Sequence, residues 1–132
     1  MAATHFLGIG HETRADPAAA MALVQDCCRQ VGLTPGEIAL IASLESKAAD
    51  DIIAGLARHF GWAVQYFSAA TLEAETPRLL NPSDAVFRAV GCHGVAEAAA
   101  LAAGGPEAIL LLPKINGDGV TCAIARRLDH GR

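Results

Sequence analysis

Short, continuous apolar runs alternate along this 132-residue chain with longer stretches in which apolar positions recur every three to four residues. The first pattern describes buried strands and the second amphipathic helices. His5 to Gly10 reads as a first strand ending in glycines. Asp16 and Pro17 then supply an N-cap and a proline at the first helical position. Ala18, Met21, Ala22 and the run from Val24 to Val31 give that helix its apolar face, and Gly32 stands where a C-terminal cap is expected. Thr34-Pro35-Gly36 turns the chain into a second strand, Ile38 to Ser43. Ser46 is expected to cap a second helix over residues 47–60, with Ala48, Ile52, Ile53, Leu56 and Phe60 at helical spacing and Gly61 at its end.

Ala63 to Phe67 forms a third strand, and residues 68–82 read as a short helix and loop. The run from Ala85 to Val90 fits either a strand or the end of a helix. Gly91-Cys92-His93-Gly94 turns into an alanine-rich helix from about Val95 to Ala103, closed by Gly104-Gly105-Pro106. A further strand spans Ala108 to Leu112. Asn116-Gly117-Asp118-Gly119 is a hairpin signal that returns Val120 to Ala125 as an antiparallel strand. Strands alternating with helices imply an α/β fold: a three-layer α/β/α sandwich with a mostly parallel sheet and a C-terminal antiparallel strand, residues 1–132 forming a single domain. The tail from Asp129 to Arg132 is expected to fray.

Composition narrows the partners. Net charge is −4 with a pI near 5.6, and the basic residues are scattered, so neither nucleic acid nor an anionic membrane has an electrostatic footprint to bind. Aromatic residues make up 5%, too few for a base-stacking platform. No apolar run approaches the roughly 20 residues of a membrane span. Cys27, Cys28, Cys92 and Cys122 contain no CxxC pair, and no secretory leader is evident at the N-terminus, which points to a reducing cytoplasm.

The candidate chemistry begins with lysine. Eight arginines accompany only two lysines, and each lysine follows an apolar run that reads as a strand: Ile38 to Ser43 before Lys47, Ile109 to Leu112 before Lys114. In open α/β sheets ligands bind beyond the carboxyl ends of the strands, so two ammonium groups delivered there suit an anionic small molecule. Solvated loop charges are the alternative. Lys47, read as lying in the first turn of a helix, opposes the helix dipole and needs either Asp50 or Asp51 on the same face or a bound anion. Ser43, at the end of the second strand, belongs with the same rim.

Gly8-Ile9-Gly10 lacks the third glycine of a dinucleotide fingerprint, and Thr13-Arg14 delays the next helix. The glycines either form a plain turn or bring backbone N–H groups and Arg14 toward a carboxylate. Gly91 and Gly94 likewise expose backbone donors at a helix N-terminus. Adjacent Cys92 and His93 side chains diverge, which argues against a nucleophilic pair, and no other Cys or His stands at metal-ligand spacing, so no metal site is expected. Glu97, in the first turn of the alanine-rich helix, either complements its dipole or acts as a general acid or base if burial raises its pKa. It is the sole catalytic candidate. Thr121, across the hairpin from Lys114, adds a hydroxyl to the rim or is an ordinary strand residue.

Taken in order, Gly8-Ile9-Gly10, Ala42 to Lys47 with Asp50, Gly91 to Leu101, and Lys114 with Gly119 to Arg126 resemble the CobE and CbiG C-terminal domain family of cobalamin biosynthesis, over roughly residues 4 to 128. The resemblance marks Gly8, Gly10, Lys47, Glu97, Lys114 and Thr121 as signature positions. The chain departs from the family pattern at His11-Glu12-Thr13-Arg14 and at Asp50, where Glu is common. It implies a corrinoid or precorrin as ligand or substrate and no intrinsic cofactor, because the family's substrates are corrin-ring precursors bearing many acetate and propionate carboxylates. The role implied is an accessory or carrier module for a corrin-ring intermediate or product. Its alternatives are a hydrolase that opens a cobalt-precorrin δ-lactone with acetaldehyde release, and an interaction domain for another cobalamin-pathway enzyme.

Overall fold

The computed structural model describes residues 2–129. Five strands, β1 (Ala3–His11), β2 (Ile38–Leu44), β3 (Ala63–Phe67), β4 (Ile109–Asn116) and β5 (Val120–Leu128), form one sheet in the order β3-β2-β1-β5-β4. The β1–β2 and β2–β3 ladders are parallel, whereas β5 is antiparallel to both β1 and β4. Four strands therefore run one way and only β5 opposes them. The hairpin inserts β5 between β1 and β4, leaving β4 on the edge.

Side chains alternate across this sheet with the period of two that strand geometry imposes. Leu7, Ile9, Ile41, Cys122 and Ile124 face α1 (Pro17–Gln30) and α2 (Asp51–Phe60), where Val24, Cys27, Ile53, Leu56 and Trp62 complete the first core. Ala42, Leu44 and Ala125 face the other way. There α3 (Ala69–Glu73) and α5 (Ala96–Gly104) close a second core with Leu72, Cys92 and Ala98 to Leu101. The three layers expected from the sequence are present.

The alanine-rich α5 lies close on the sheet. A Cβ at Gly8 would stand 1.9 Å from the Ala96 carbonyl oxygen and 2.7 Å from the Ala100 nitrogen, so only glycine permits this approach of helix to strand.

Local competition moved some boundaries. The second helix begins at Asp51 rather than at residue 47, because the Asp50 carboxylate caps it by accepting from the Ile52 N–H at 3.2 Å. Glu45–Ala49 forms a 3₁₀ turn instead. The run left open between strand and helix is α4 (Asp84–Val90), capped by Ser83, whose hydroxyl accepts from the Val86 N–H. Pro113, which has no N–H, lies in an irregular stretch of β4 where the register with β5 shifts. At the C-terminus Asp129 is held: its N–H donates to the Ala2 carbonyl at 2.9 Å, and its carboxylate accepts from Thr4 Oγ1 at 2.5 Å. The rest of the expected fraying, residues 130–132, lies outside the described residues. No described helix is long and apolar enough to cross a membrane.

Candidate functional site

Because β1, β2 and β4 are parallel in direction, their carboxyl ends meet along one edge of the sheet, where the hairpin also begins β5. Gly10, Thr121 and Asn116 stand side by side there, on β1, β5 and β4. A cleft of about 670 Å³ opens at this edge, within the roughly 300–1,000 Å³ common for small-molecule sites. Its lining combines the glycines Gly10, Gly94, Gly117 and Gly119, an apolar set made by Val86, Ala89 and Val90 of α4 with Val95 and Val120, and the polar His11 and Glu12. Lys47 and Lys114 both line it. A second depression, of about 480 Å³, shares His11, Thr13 and Lys47 and adds Ser46, Asp50 and Asp51.

Neither ammonium group has an ion-pair partner among the described residues. The pairing of Lys47 with Asp50 or Asp51 along a helix does not form, since Lys47 precedes that helix and Asp50 is occupied with its cap. Two half-buried cations, Lys47 from the 3₁₀ turn after β2 and Lys114 from β4, line one cleft together with apolar side chains, an arrangement chemically suited to an anion with an apolar body. Gly10 keeps the cleft open: a Cβ there would meet Thr121 Oγ1 at 2.9 Å and Val95 Cβ at 3.2 Å. Thr121 lines the same cleft and donates a long hydrogen bond, 3.4 Å, to the Gly10 carbonyl.

Of the residues singled out from the sequence, the structure brings Gly10, Gly94, Lys47, Lys114 and Thr121 to this cleft and places five others elsewhere. Gly8 is a packing contact beneath α5, as described above. Ser43 is fully buried and donates to the Ile9 carbonyl at 2.6 Å, tying β2 to β1. Arg14 is exposed in the turn after β1, outside the lining. Gly91 ends α4 in the left-handed conformation, with φ +86°. Gly8, Ser43 and Gly91 thus serve the chain's own geometry, and Arg14 does not line the cleft.

Glu97 is the largest correction. It is 2% exposed and accepts four hydrogen bonds: from the backbone N–H groups of Leu80 (3.0 Å), Asn81 (3.0 Å) and Lys114 (2.9 Å), and from Asn81 Nδ2 (2.8 Å). Burial pushes its pKa up, but the donors on Lys114, Asn81 and Leu80 outweigh this and hold the carboxyl below its usual value. An ionised, saturated carboxylate is no general acid. Glu97 instead fastens the irregular part of β4, and thus Lys114, to α5.

Two features escaped the sequence reading. His11 is 7% exposed, lines the cleft, and directs Nδ1 to the Glu12 carbonyl at 2.9 Å, while its Nε2 is buried without a partner. The sequence marked its segment only as a departure from the family pattern, His11-Glu12-Thr13-Arg14, and gave no sign that the imidazole would be buried at the cleft. The apolar wall was findable: Val86, Ala89 and Val90 have the i, i+3, i+4 spacing of one helical face. Cys92 is buried in the second core, and burial pushes its thiol pKa up. Among the described residues, no three His, Cys, Asp or Glu side chains gather as a metal site.

Comparison with known proteins gives the following. A family model described as cobalamin synthesis G C-terminus matches residues 5–125. The chain is 44% identical over 119 residues to protein CobE of Sinorhizobium sp, covering 90% of this chain and 77% of that protein. It is 24% identical to the cobalt-precorrin-5A hydrolase of Priestia megaterium over 90% of this chain but only 31% of the hydrolase. The crystal structure of CobE, a protein from the cobalamin (vitamin B12) biosynthetic pathway, superposes with a TM-score of 0.90 at 31% identity, covering 99% of this chain and 95% of that one.

Proposed function

Since the chain belongs to the cobalamin synthesis G C-terminus family, we propose that its sheet-end cleft binds a carboxylate-rich corrin-ring intermediate or product as an accessory or carrier module. The observation that carries this reading is the convergence of the unpaired Lys47 and Lys114 on one cleft with an apolar α4 wall. A corrin precursor has matching chemistry: an extended, largely apolar ring with acetate and propionate arms. In this pose the ring lies against Val86, Ala89 and Val90, and two of its carboxylates reach the lysines. Charge-assisted hydrogen bonds of this kind each contribute about 1.5–3 kcal/mol.

A carrier role is favoured over hydrolysis at Glu97 by two observations. Glu97, the acid–base candidate of the sequence, is saturated by four donors and does not line the cleft, whose titratable side chains besides the two lysines are His11 and Glu12. The similarity to the hydrolase extends over 31% of that protein, so its reaction is not transferred to this chain.

Titration with cobyrinic acid, followed by the corrin's visible absorption, tests the proposal. Saturable binding with no change in the recovered corrinoid is expected. Lys47→Met or Lys114→Met should each weaken it by about 1–3 kcal/mol, the worth of a charged hydrogen bond, with thermal melting unchanged. Unaltered affinity in both variants would return the lysines to solvated charges, turnover would favour the hydrolase, and no binding at all would leave an interaction domain.

A further inference from the structure

We infer that α4 is a movable lid over the cleft, latched to the body of the protein by His93; this rests on the cleft being the ligand site. The segment is framed by two fixed points. Before it, Asn81 is held by Glu97 through its backbone and side-chain amides, at 3.0 and 2.8 Å. After it, Cys92 is fully buried. Between these points no residue is buried, although α4 provides the apolar wall of the cleft. The chain leaves the helix through Gly91 at φ +86°, a natural pivot because glycine accepts this conformation without strain.

One residue bridges lid and body. On the body side, Glu73 of α3 accepts from the His93 N–H at 2.9 Å and contacts Nδ1 at 2.9 Å. On the lid side, the Ser83 N–H donates to the His93 carbonyl at 2.7 Å, and Phe87 stacks on the imidazole at a centroid distance of 4.4 Å. Asp84 Oδ1 lies 3.4 Å from Nε2, with its side chain 87% exposed. Phe87 itself remains 43% exposed. A helix with no fully buried side chain, held by Val90 packed on the second core, one half-exposed ring stack and one backbone hydrogen bond, opens at small cost. Val86 and Val90 are only partly covered while the cleft is empty and become buried when it closes on an apolar ring, so ligand binding itself supplies the closing force.

Hydrogen exchange on the full chain, with Phe87→Ala and His93→Ala variants, tests the lid. In ligand-free protein the amides of 84–90 should exchange faster in both variants than in wild type by about tenfold, while those of α5 are unchanged. Phe87→Ala guards against a His93 variant that disturbs α3. With cobyrinic acid as probe, wild-type 84–90 should gain protection, and both variants should show association and dissociation rates raised several-fold with a smaller change in affinity. If exchange at 84–90 in the ligand-free variants equals that of wild type, the latch is wrong, whether or not the probe binds. A probe that fails to bind wild type, with exchange behaving as expected, overturns the ligand assignment and leaves the mobile α4.

Discussion

At the scale of single residues, the two lysines were legible because the chain has only two and each follows an apolar run that reads as a strand. Glu97 was not legible in its role. Its position in a first helical turn said nothing of the donors that Leu80, Asn81 and Lys114 bring from segments 16 to 17 residues away. Removing its charge has a definite pH signature. Because the folded-state pKa is held below that of the unfolded chain, its stabilisation is complete above the unfolded glutamate value of about 4.3 and is lost as pH falls through the folded value. Glu97→Gln should therefore lower stability in urea by about 1–3 kcal/mol at neutral pH, since an amide turns N–H groups toward N–H donors. The gap from wild type should close in acid. A gap independent of pH would assign Glu97 a purely steric part.

Among the elements, periodicity and glycine punctuation identified the five strands, α1 and the alanine-rich α5. Three positions required competition between neighbours to be weighed in three dimensions. Asp50 outcompetes Ser46 as the cap of α2, the run at 85–90 resolves as helix under the Ser83 cap, and Pro113 breaks the β4 register. Gly8 was misread for a related reason. A glycine that faces a ligand and one that faces a helix look identical in sequence, and only the 1.9 Å gap to the Ala96 carbonyl tells them apart. Gly8→Ala must push α5, and with it Gly94 and Val95 just before the helix, off β1. A loss of about 3 kcal/mol or more is expected for such backbone overpacking. Gly36→Ala, where a Cβ meets only Thr34 Oγ1 at 3.9 Å, should be nearly neutral in the same urea titration. Equal midpoints for the two variants would contradict the close approach of helix and sheet.

For the whole molecule, the doubly covered sheet puts three strand ends and a hairpin on one edge, and the chain delivers its only two lysines there while its net charge stays at −4. In the proposed role, a mildly repulsive global field with two lysines at one cleft suits ligands that carry carboxylates close to an apolar body, rather than polyanions at large. The resemblance seen in the ordered motifs and the family match over residues 5–125 agree on cobalamin biosynthesis. The proposal assigns the ligand to the sheet-end cleft. Its most direct test is an NMR titration of ¹⁵N-labelled protein with cobyrinic acid, read at the glycine amides, which are spread through the fold. The account predicts that shifts concentrate at Gly10, Gly94, Gly117 and Gly119, leaving Gly32, Gly36 and Gly55 in place. Shifts at the latter three with the cleft glycines unmoved would contradict it.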